Sequence, residues 1–438
     1  MPPLSTTACN GHPARPPWLE GILHDQSPPP KLFSWTLANL PGAQINRPER
    51  TRAGSNEEDR SSRFYVLGVG NLGRLFATSL AKLPEPPPIT LVFHKKTLLE
   101  QWLRSPGIEM VRSGVSDLTT DFDVEWWTDQ KPDAGPITEV CDGRAISNLI
   151  VATKAPAALP QVDRIRRYLD GTSTVAFIQN GMNRLWPPYG AKYNGYRYQL
   201  GQQPNWVARV TMHGVTSLGD LRSFHASPAD VAMGPVSLNR ENMLQAEYLM
   251  NRIAAAPYLD ARRVSRPDLW VLQLEKLVVN CILNPLTALL RCKNGVLFAN
   301  PDGPVIRVMD VLLEEASRVL QSLVRDESSR AILLCDDADS DVQGSVDVRL
   351  QYLRGRFSTT CLRTMVHSVG EKVKDNKSSM LQDVMSGKST EIQEFNGWLV
   401  DTAVYLGGLD VKSHQILIRL VEGGTILEET QLGRYFFP

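Results

Sequence analysis

Two rhythms of hydrophobic positions divide the chain. From residue 63 to about residue 240 the apolar residues fall in short compact runs: FYVL at 64–67, ITLVF at 89–93, NLIVAT at 148–153, and similar stretches at 173–178, 207–212 and 224–233. Runs of this kind, rich in β-branched and aromatic residues and bounded by glycine, proline or asparagine, predict strands. A helical pattern through Leu75, Phe76, Leu80 and Leu83 follows the first of them, the alternation that builds a parallel sheet. The stretches from residue 207 are expected to extend that sheet in antiparallel fashion. From about residue 241 strands nearly vanish and the period lengthens to that of a helix, at 241–254, 267–290, 304–325, 348–367 and 391–406.

The helical stretch WVLQLEKLVVNCILN at 270–284, continued by Pro285, Leu286 and Thr287, is apolar on every side, the mark of a buried helix. It nonetheless carries Lys276, Asn280 and Asn284. At a spacing of four, each is displaced by about 40° around the axis and about 6 Å along it, so an ammonium and two amides form one stripe, with Thr287 near the same line. A buried lysine is costly without a partner. The stripe is therefore expected to face a polar recess suited to a small anionic, oxygen-rich ligand. A lysine whose head reaches the surface, with the two asparagines capping neighbouring loops, accounts for the same pattern.

The first strand runs directly into Gly68, Val69, Gly70, Asn71, Leu72 and Gly73. Strand, GxGxxG and helix follow in the order of a dinucleotide-binding turn. Gly68 serves the tight turn, Gly70 the approach of the backbone to a pyrophosphate, and Gly73 the packing of helix on strand. The phosphates would sit on the free amides at the helix start. The expected architecture is an α/β Rossmann-type dinucleotide-binding domain at residues 62–265 followed by an all-α helical C-terminal domain at 266–438. The second strand ends in His94, Lys95 and Lys96, where an NAD-preferring fold places an acid roughly 20 residues past the glycines. Two lysines and no acid favour the 2′-phosphate of NADP, with Lys95 or Lys96 as the clamp. Lys154 and Asn180 follow two further strands and are expected to face the ligand crevice at the strand carboxyl ends. His213 is expected to be a structural hydrogen-bonder.

Composition narrows the classes. Lys+Arg and Asp+Glu are equal at 47 each, which argues against nucleic acid as the main partner. The 438 residues, 42% hydrophobic, can fill two cores, and no run approaches the roughly 18 apolar residues of a membrane span. Cys9, Cys141, Cys281, Cys292, Cys335 and Cys361 show no CxxC spacing, the pattern of a reducing compartment, and the histidines give no metal-ligand spacing. Residues 1–61 are rich in proline and then in Arg, Glu, Asp and Ser, so a mostly disordered extension is expected. Arg15, Lys31, Arg47, Arg50 and Arg52 leave mitochondrial import open on an otherwise cytoplasmic chain, although Glu20, Asp25 and Glu49 dilute the positive charge. The CDDADSD run at 335–341 lacks the glycine and terminal glutamate of a calcium loop, and 326–377 is expected to be a solvated insertion.

The glycine turn, QNG at 179–181, KLVVNCILNPLTALLRCKNG at 276–295, and SSMLQDV with the following TEI within 378–392 together resemble the ketopantoate reductase family. That resemblance implies a domain binding NADPH and a helical domain closing over 2-dehydropantoate, whose ketone is reduced to (R)-pantoate on the route to pantothenate. It implies Lys276 as proton donor and Asn280, Asn284, Asn294 and Ser379 as substrate-binding residues. Asn180 would touch both cofactor and substrate, Lys154 would contact NADPH, Glu391 would be an acid near the nicotinamide and substrate, and Val215 a backbone contact to the cofactor. The extension, the insertion, and His-Lys-Lys where relatives commonly have arginine are departures from the family pattern.

The chemistry of the stripe agrees with that implication. Hydride arriving at a ketone carbon leaves negative charge on the oxygen, which a nearby proton donor stabilises. The stripe offers one ionisable group, Lys276. Ser379 with Gln382 also matches a capping box, and Glu391 a first-turn acid. The implied partner is a small 2-oxo acid, with neither nucleic acid nor membrane, and a homodimer stays open. Two alternatives remain at this point: a reductase of another branched 2-oxo acid, and a non-catalytic NADP-binding regulator that docks partners through its extension and insertion.

Overall fold

The computed structural model describes residues 15–42, 57–334 and 342–437. Its strands are β1 (Phe33–Trp35), β2 (Phe64–Leu67), β3 (Ile89–Phe93), β4 (Ile108–Arg112), β5 (Val115–Thr119), β6 (Asp123–Thr128), β7 (Asn148–Val151), β8 (Thr174–Phe177), β9 (Asn205–Thr211), β10 (Gly214–Gly219), β11 (Arg222–Ser227), β12 (Val231–Ser237) and β13 (Ala261–Arg263). Its helices are α1 (Pro17–His24), α2 (Glu57–Ser62), α3 (Asn71–Leu80), α4 (Lys96–Arg104), α5 (Ala155–Arg164), α6 (Tyr189–Arg197), α7 (Met243–Ala255), α8 (Arg266–Leu290), α9 (Pro304–Arg325), α10 (Glu327–Leu333), α11 (Val342–Arg356), α12 (Thr359–Lys372), α13 (Ser379–Met385), α14 (Trp398–Tyr405), α15 (Lys412–Glu422) and α16 (Gly433–Phe436). The chain divides into two compact units, one holding residues 26–186 and 190–269, the other holding residues up to 25, 187–189 and from 270 onward.

The first unit is built on a nine-stranded sheet of order β1-β6-β3-β2-β7-β8-β9-β12-β13. The six strands from β6 to β9 in that order are mutually parallel. Strands β3, β7 and β8 are buried at every position, which is why they appear as nearly continuous apolar runs in the sequence. The strand order reverses between β2 and β7, and in such sheets the ligand crevice lies outside the carboxyl ends of the strands at that switch. The expected antiparallel extension is corrected at β9, which joins β8 in parallel; only β12 runs antiparallel, paired with β9. Strands β10 and β11 instead leave the main sheet and join β4 and β5 in a four-stranded sheet of order β10-β11-β4-β5. The single stretch expected at 224–233 is divided between β11 of this sheet and β12 of the main one; β5 and β10 are half exposed, so they carry mixed polar and apolar residues that the hydrophobic pattern does not single out.

Residues 15–42 correct the expectation of a disordered extension. They form α1 and β1, and β1 pairs antiparallel with β6 along the sheet edge, Phe33 opposite Thr128 and Trp35 opposite Trp126. Leu32, Phe33, Trp35 and Leu40 are buried. The side-chain amide of Asn39 donates to the carbonyls of Ala134 and Pro136 at 2.8 and 2.9 Å. A short apolar cluster in proline-rich surroundings has no periodicity of its own, and its order comes from covering backbone groups that the edge strand β6 would otherwise leave unpaired. Residues 57–61, the end of the expected extension, lie in α2, and the rest of it lies outside the described residues.

In the second unit α8 is the core helix. It has the length and hydropathy of a membrane span, but 78% of that window is buried inside the protein. Around the amphipathic α9 pack α10, α11, α12, α14 and α15. The expected solvated insertion is mostly helical, with Ile332, Leu333, Leu353, Phe357, Leu362 and Val366 buried; the acidic run at 335–341 lies outside the described residues. The single helix expected at 348–367 is broken after Arg356, at the fully buried Phe357, and Ser358 caps α12 by accepting from the Cys361 amide. The helix expected at 391–406 begins as a π-turn at Gln393–Gly397 before continuing as α14.

Candidate active site

In the first unit, β2 delivers the chain into the glycine turn. Gly68 has φ +97°, and a Cβ there would stand 2.9 Å from Thr153 Cγ2. A Cβ at Gly73 would stand 2.2 Å from the Gly68 carbonyl oxygen, so α3 presses directly on the turn. At Gly70 a Cβ would meet nothing within 4 Å. That open side and the first amides of α3, which no side chain caps, are what a pyrophosphate requires. The turn is held from outside the motif: the Asn71 amide donates to the Val215 carbonyl at 3.1 Å and its oxygen accepts from Ser223 Oγ at 2.9 Å. Arg74, buried beside them, donates to the carbonyls of Val69, Gly219 and Arg222 and to Ser223 Oγ, and burial lowers its pKa. Val215 is thus brought against the glycine turn by the second sheet, with its carbonyl taken by Asn71.

At the carboxyl ends of β7 and β8, Thr153 Oγ1 and Gln179 Oε1 are buried without a hydrogen-bond partner. Orphaned polar atoms are costly, and at these two strand ends a bound dinucleotide can satisfy them. The sequence points to their neighbours, Lys154 and Asn180, and assigns no role to these two, although Gln179 opens the QNG motif and both stand at the same strand ends. Lys154 is exposed at the start of α5, and Asn180 is half-buried just past β8. Lys95 is exposed at the N-cap of α4, and the Lys96 ammonium lies over the Trp35 ring, 4.6 Å from its centroid. His213 is hydrogen-bonded on both ring nitrogens, by Nε2 to the Leu259 carbonyl and by Nδ1 with the Ala229 amide and His225 Nε2.

In the second unit the stripe on α8 runs from half-buried Lys276 and Asn280 to buried Asn284 and Thr287. Its far end meets the start of α13. Thr287 Oγ1 donates to the Leu283 and Asn284 carbonyls and lies 2.7 Å from Ser378 Oγ. The cap of α13 is Ser378, whose Oγ accepts from the Leu381 amide at 3.0 Å, which corrects the capping box drawn on Ser379 and Gln382. Ser379 is exposed, and its Oγ accepts from Asn284 Nδ2 at 3.4 Å. Asn294 holds the chain leading into α13, donating by Nδ2 to the Val373 carbonyl at 3.0 Å and by its amide to the Asn376 carbonyl at 3.1 Å. Its own Oδ1 is buried and unpartnered.

Glu391 is buried and opens the π-turn, its carbonyl accepting from the Glu394 amide at 3.0 Å. Such turns are local insertions often found at functional sites. The turn is fastened to α8 by Asn396, whose Nδ2 donates to the Cys281 carbonyl at 2.9 Å and also meets His414 Nδ1 at 2.9 Å. His414 is fully buried, its Nε2 bonds the Leu312 carbonyl at 3.1 Å, and burial lowers its pKa to about 4. Asn396 and His414 carry no motif, and the sequence reading did not find them. The structure thus joins Asn284 to Ser379 and ties the Glu391 segment to α8 one residue past Asn280. Gly68 to Gly73, Lys154, Asn180 and Val215 belong to the other unit. Among the described residues no group of three His, Cys, Asp or Glu is placed to hold a metal ion.

Two family models match the chain, one described as ketopantoate reductase PanE/ApbA over residues 64–237 and one as its C-terminal part over 268–424. The chain is 41% identical over 443 residues to the ketoisovalerate reductase BEA2 of Gibberella fujikuroi, covering 96% of this chain and 98% of that one. It is 27% identical over 361 residues to the 2-dehydropantoate 2-reductase of Salmonella typhimurium, covering 82% and 94%. Among solved structures, D-mandelate dehydrogenase with NADH and anilino(oxo)acetate superposes with a TM-score of 0.57 over 85% of this chain and 99% of that one. Its sequence identity is 14%, so this likeness speaks for the fold alone.

Proposed function

The chain belongs to the ketopantoate reductase family, and on that premise we propose that it reduces a branched 2-oxo acid to the 2-hydroxy acid with a reduced nicotinamide dinucleotide, NADPH in preference to NADH. The observation that carries this reading is the polar stripe of α8, an ammonium and two amides inside an otherwise apolar helix, ending on Asn284 and Ser379 in contact. The open side of Gly70 and the orphaned Thr153 and Gln179 oxygens support the fit of the dinucleotide, and Lys95 and Lys96 supply the charge for a 2′-phosphate.

The dinucleotide supplies the hydride that adds to the ketone carbon. As the carbon–hydrogen bond forms, the carbonyl π electrons move to oxygen. Lys276 stabilises that charge and gives the oxygen its proton, and the resulting neutral amine regains a proton from water. Asn280 and Asn284 orient the carbonyl, Ser379 donates to the carboxylate, and Glu391 is the acid of the reacting centre. Asn180 serves cofactor and substrate together.

For the substrate, the relative that is 41% identical over nearly its whole length is a ketoisovalerate reductase, which favours ketoisovalerate. The second reading, 2-dehydropantoate on the route to pantothenate, is favoured by the buried, unpartnered Asn294 Oδ1. An acceptor of that kind needs a donor, and 2-dehydropantoate has a hydroxyl where ketoisovalerate has none. A site built to bond a hydroxyl rejects the analogue lacking it by roughly 10⁴-fold or more, whereas an apolar pocket separates the two by about 10²-fold or less. Measuring kcat/KM for both acids with NADPH decides between them. The first reading expects ketoisovalerate to be used at least as well; a 10⁴-fold advantage for 2-dehydropantoate selects the second, and dinucleotide binding without turnover of either acid removes both.

A further inference from the structure

Residues before the first strand of the dinucleotide fold are absent from the motif that defines such folds, yet here they are built into it. Strand β1 is the outermost strand of the sheet, and the register runs in one line across three strands: Phe93 of β3 opposite Trp126 of β6, and Trp126 opposite Trp35 of β1. Phe93 is the last residue of β3, so this line marks the carboxyl end at which the adenosine ribose lies in folds of this type. The next residues are His94, Lys95 and Lys96.

Trp35 is buried, its indole nitrogen donates to the Gln130 carbonyl at 2.9 Å, and its ring packs on Trp126 at 5.4 Å between centroids. The Lys96 ammonium lies over the face of that fixed ring. Lys96 is the first residue of α4, whose first turn holds no acid, and it makes no ion pair among the described residues. A cation there opposes the helix dipole, and the indole quadrupole is what offsets that cost and fixes the long side chain.

We propose that Trp35, carried in by the N-terminal strand, is a positioning residue for cofactor selectivity: its ring holds the Lys96 ammonium where the 2′-phosphate of NADP(H) binds. The inference rests on the reading of the turn as a nicotinamide dinucleotide site and adds to it that residues 26–40 set the preference between the two dinucleotides. The ring does not stack on the adenine, because Lys96 already occupies that face.

The test is binding of NADPH and of NADH to the full chain and to W35L, W35F, K96M and W35L/K96M, with thermal melting of each. W35L is expected to weaken NADPH by about 3- to 30-fold, the range of one cation–π contact, and NADH by less than about twofold. W35F falls between wild type and W35L. K96M loses at least as much for NADPH, and adding W35L to it changes nothing further, since the ring acts only through the lysine. Equal weakening of both dinucleotides by W35L, or losses that add in the double variant, overturns the proposal. Should W35L fail to fold, W35F and W35F/K96M make the same comparison. A wild-type chain that binds neither dinucleotide removes the underlying reading instead, an outcome distinct from bound dinucleotides with an unchanged ratio.

Discussion

Asn396 donates its side-chain amide to the main-chain carbonyl of Cys281 at 2.9 Å. Four residues after Cys281 stands Pro285, inside α8 and without an N–H, so the helix itself cannot satisfy that carbonyl. Asn396 takes the place of the missing donor, and in doing so docks the π-turn on the helix that carries Lys276.

Asn396→Ala therefore leaves a buried carbonyl and the His414 ring nitrogen without a partner, at about 1–3 kcal/mol for each orphaned group. Pro285→Ala supplies the absent N–H and is expected to recover part of that loss. Urea unfolding of the two single variants and the double variant should show this as a non-additive cycle. Additive effects would mean that the carbonyl was satisfied otherwise.

The glycine turn separates fold from binding. Gly73→Ala places a Cβ 2.2 Å from the Gly68 carbonyl oxygen, and overpacking of this kind costs about 1–3 kcal/mol or more. Gly70→Ala meets no protein atom within 4 Å, so its melting temperature should stay near that of the wild type while dinucleotide affinity falls, because the methyl stands where the pyrophosphate approaches. Thermal melting and dinucleotide titration of both variants check this; unchanged affinity in Gly70→Ala would place the phosphates elsewhere.

Lys276→Ala removes the proposed proton donor. Turnover is expected to fall by about two to four orders of magnitude, with dinucleotide binding retained. Single-turnover rates beside a cofactor titration measure the two effects separately, and near-wild-type rates would exclude Lys276 from the proton transfer.

Adjacent serines should divide their roles. Ser378→Ala loses the α13 cap and a partner of buried Thr287, costing about 1–2 kcal/mol of stability. Ser379→Ala, at an exposed position, should change stability by less than about 0.5 kcal/mol yet raise the KM of the 2-oxo acid by about tenfold or more, the scale of a hydrogen bond to a charged group. Steady-state kinetics and denaturant curves on the two variants resolve the division, and the reverse pattern would move the carboxylate contact off Ser379.

His414 predicts an acid-sensitive helical unit. Its pKa is near 6.5 in an unfolded chain and is lowered by burial to about 4 in the fold. The unfolded chain takes up a proton between these values that the folded chain resists. The contribution is constant above about pH 6.5, falls as pH drops toward 4, and is flat below, amounting to about 3 kcal/mol over the window. His414→Gln should flatten the pH dependence of the urea midpoint in that interval; an unaltered slope would assign it to other groups.

Strands β2, β3, β7 and β8, the glycine turn between β2 and α3, and the stripe on α8 were legible in the residues alone. These rest on local properties: a strand covered by packing must be largely apolar, a turn pressed by a helix must be glycine, and a period near 3.6 lines up Lys276, Asn280 and Asn284 wherever the helix lies. Folding had to be seen to show that β10 and β11 join a second sheet, that Trp35 adds a strand to the first one, that Ser378 rather than Ser379 is the cap, and that Asn396 serves the carbonyl freed by Pro285. Three of these depend on a partner far along the chain, β4 for β11, β6 for the strand of Trp35 and Cys281 for Asn396, and such pairing imposes no period on either partner; the cap is a choice between two adjacent serines that the pattern does not distinguish.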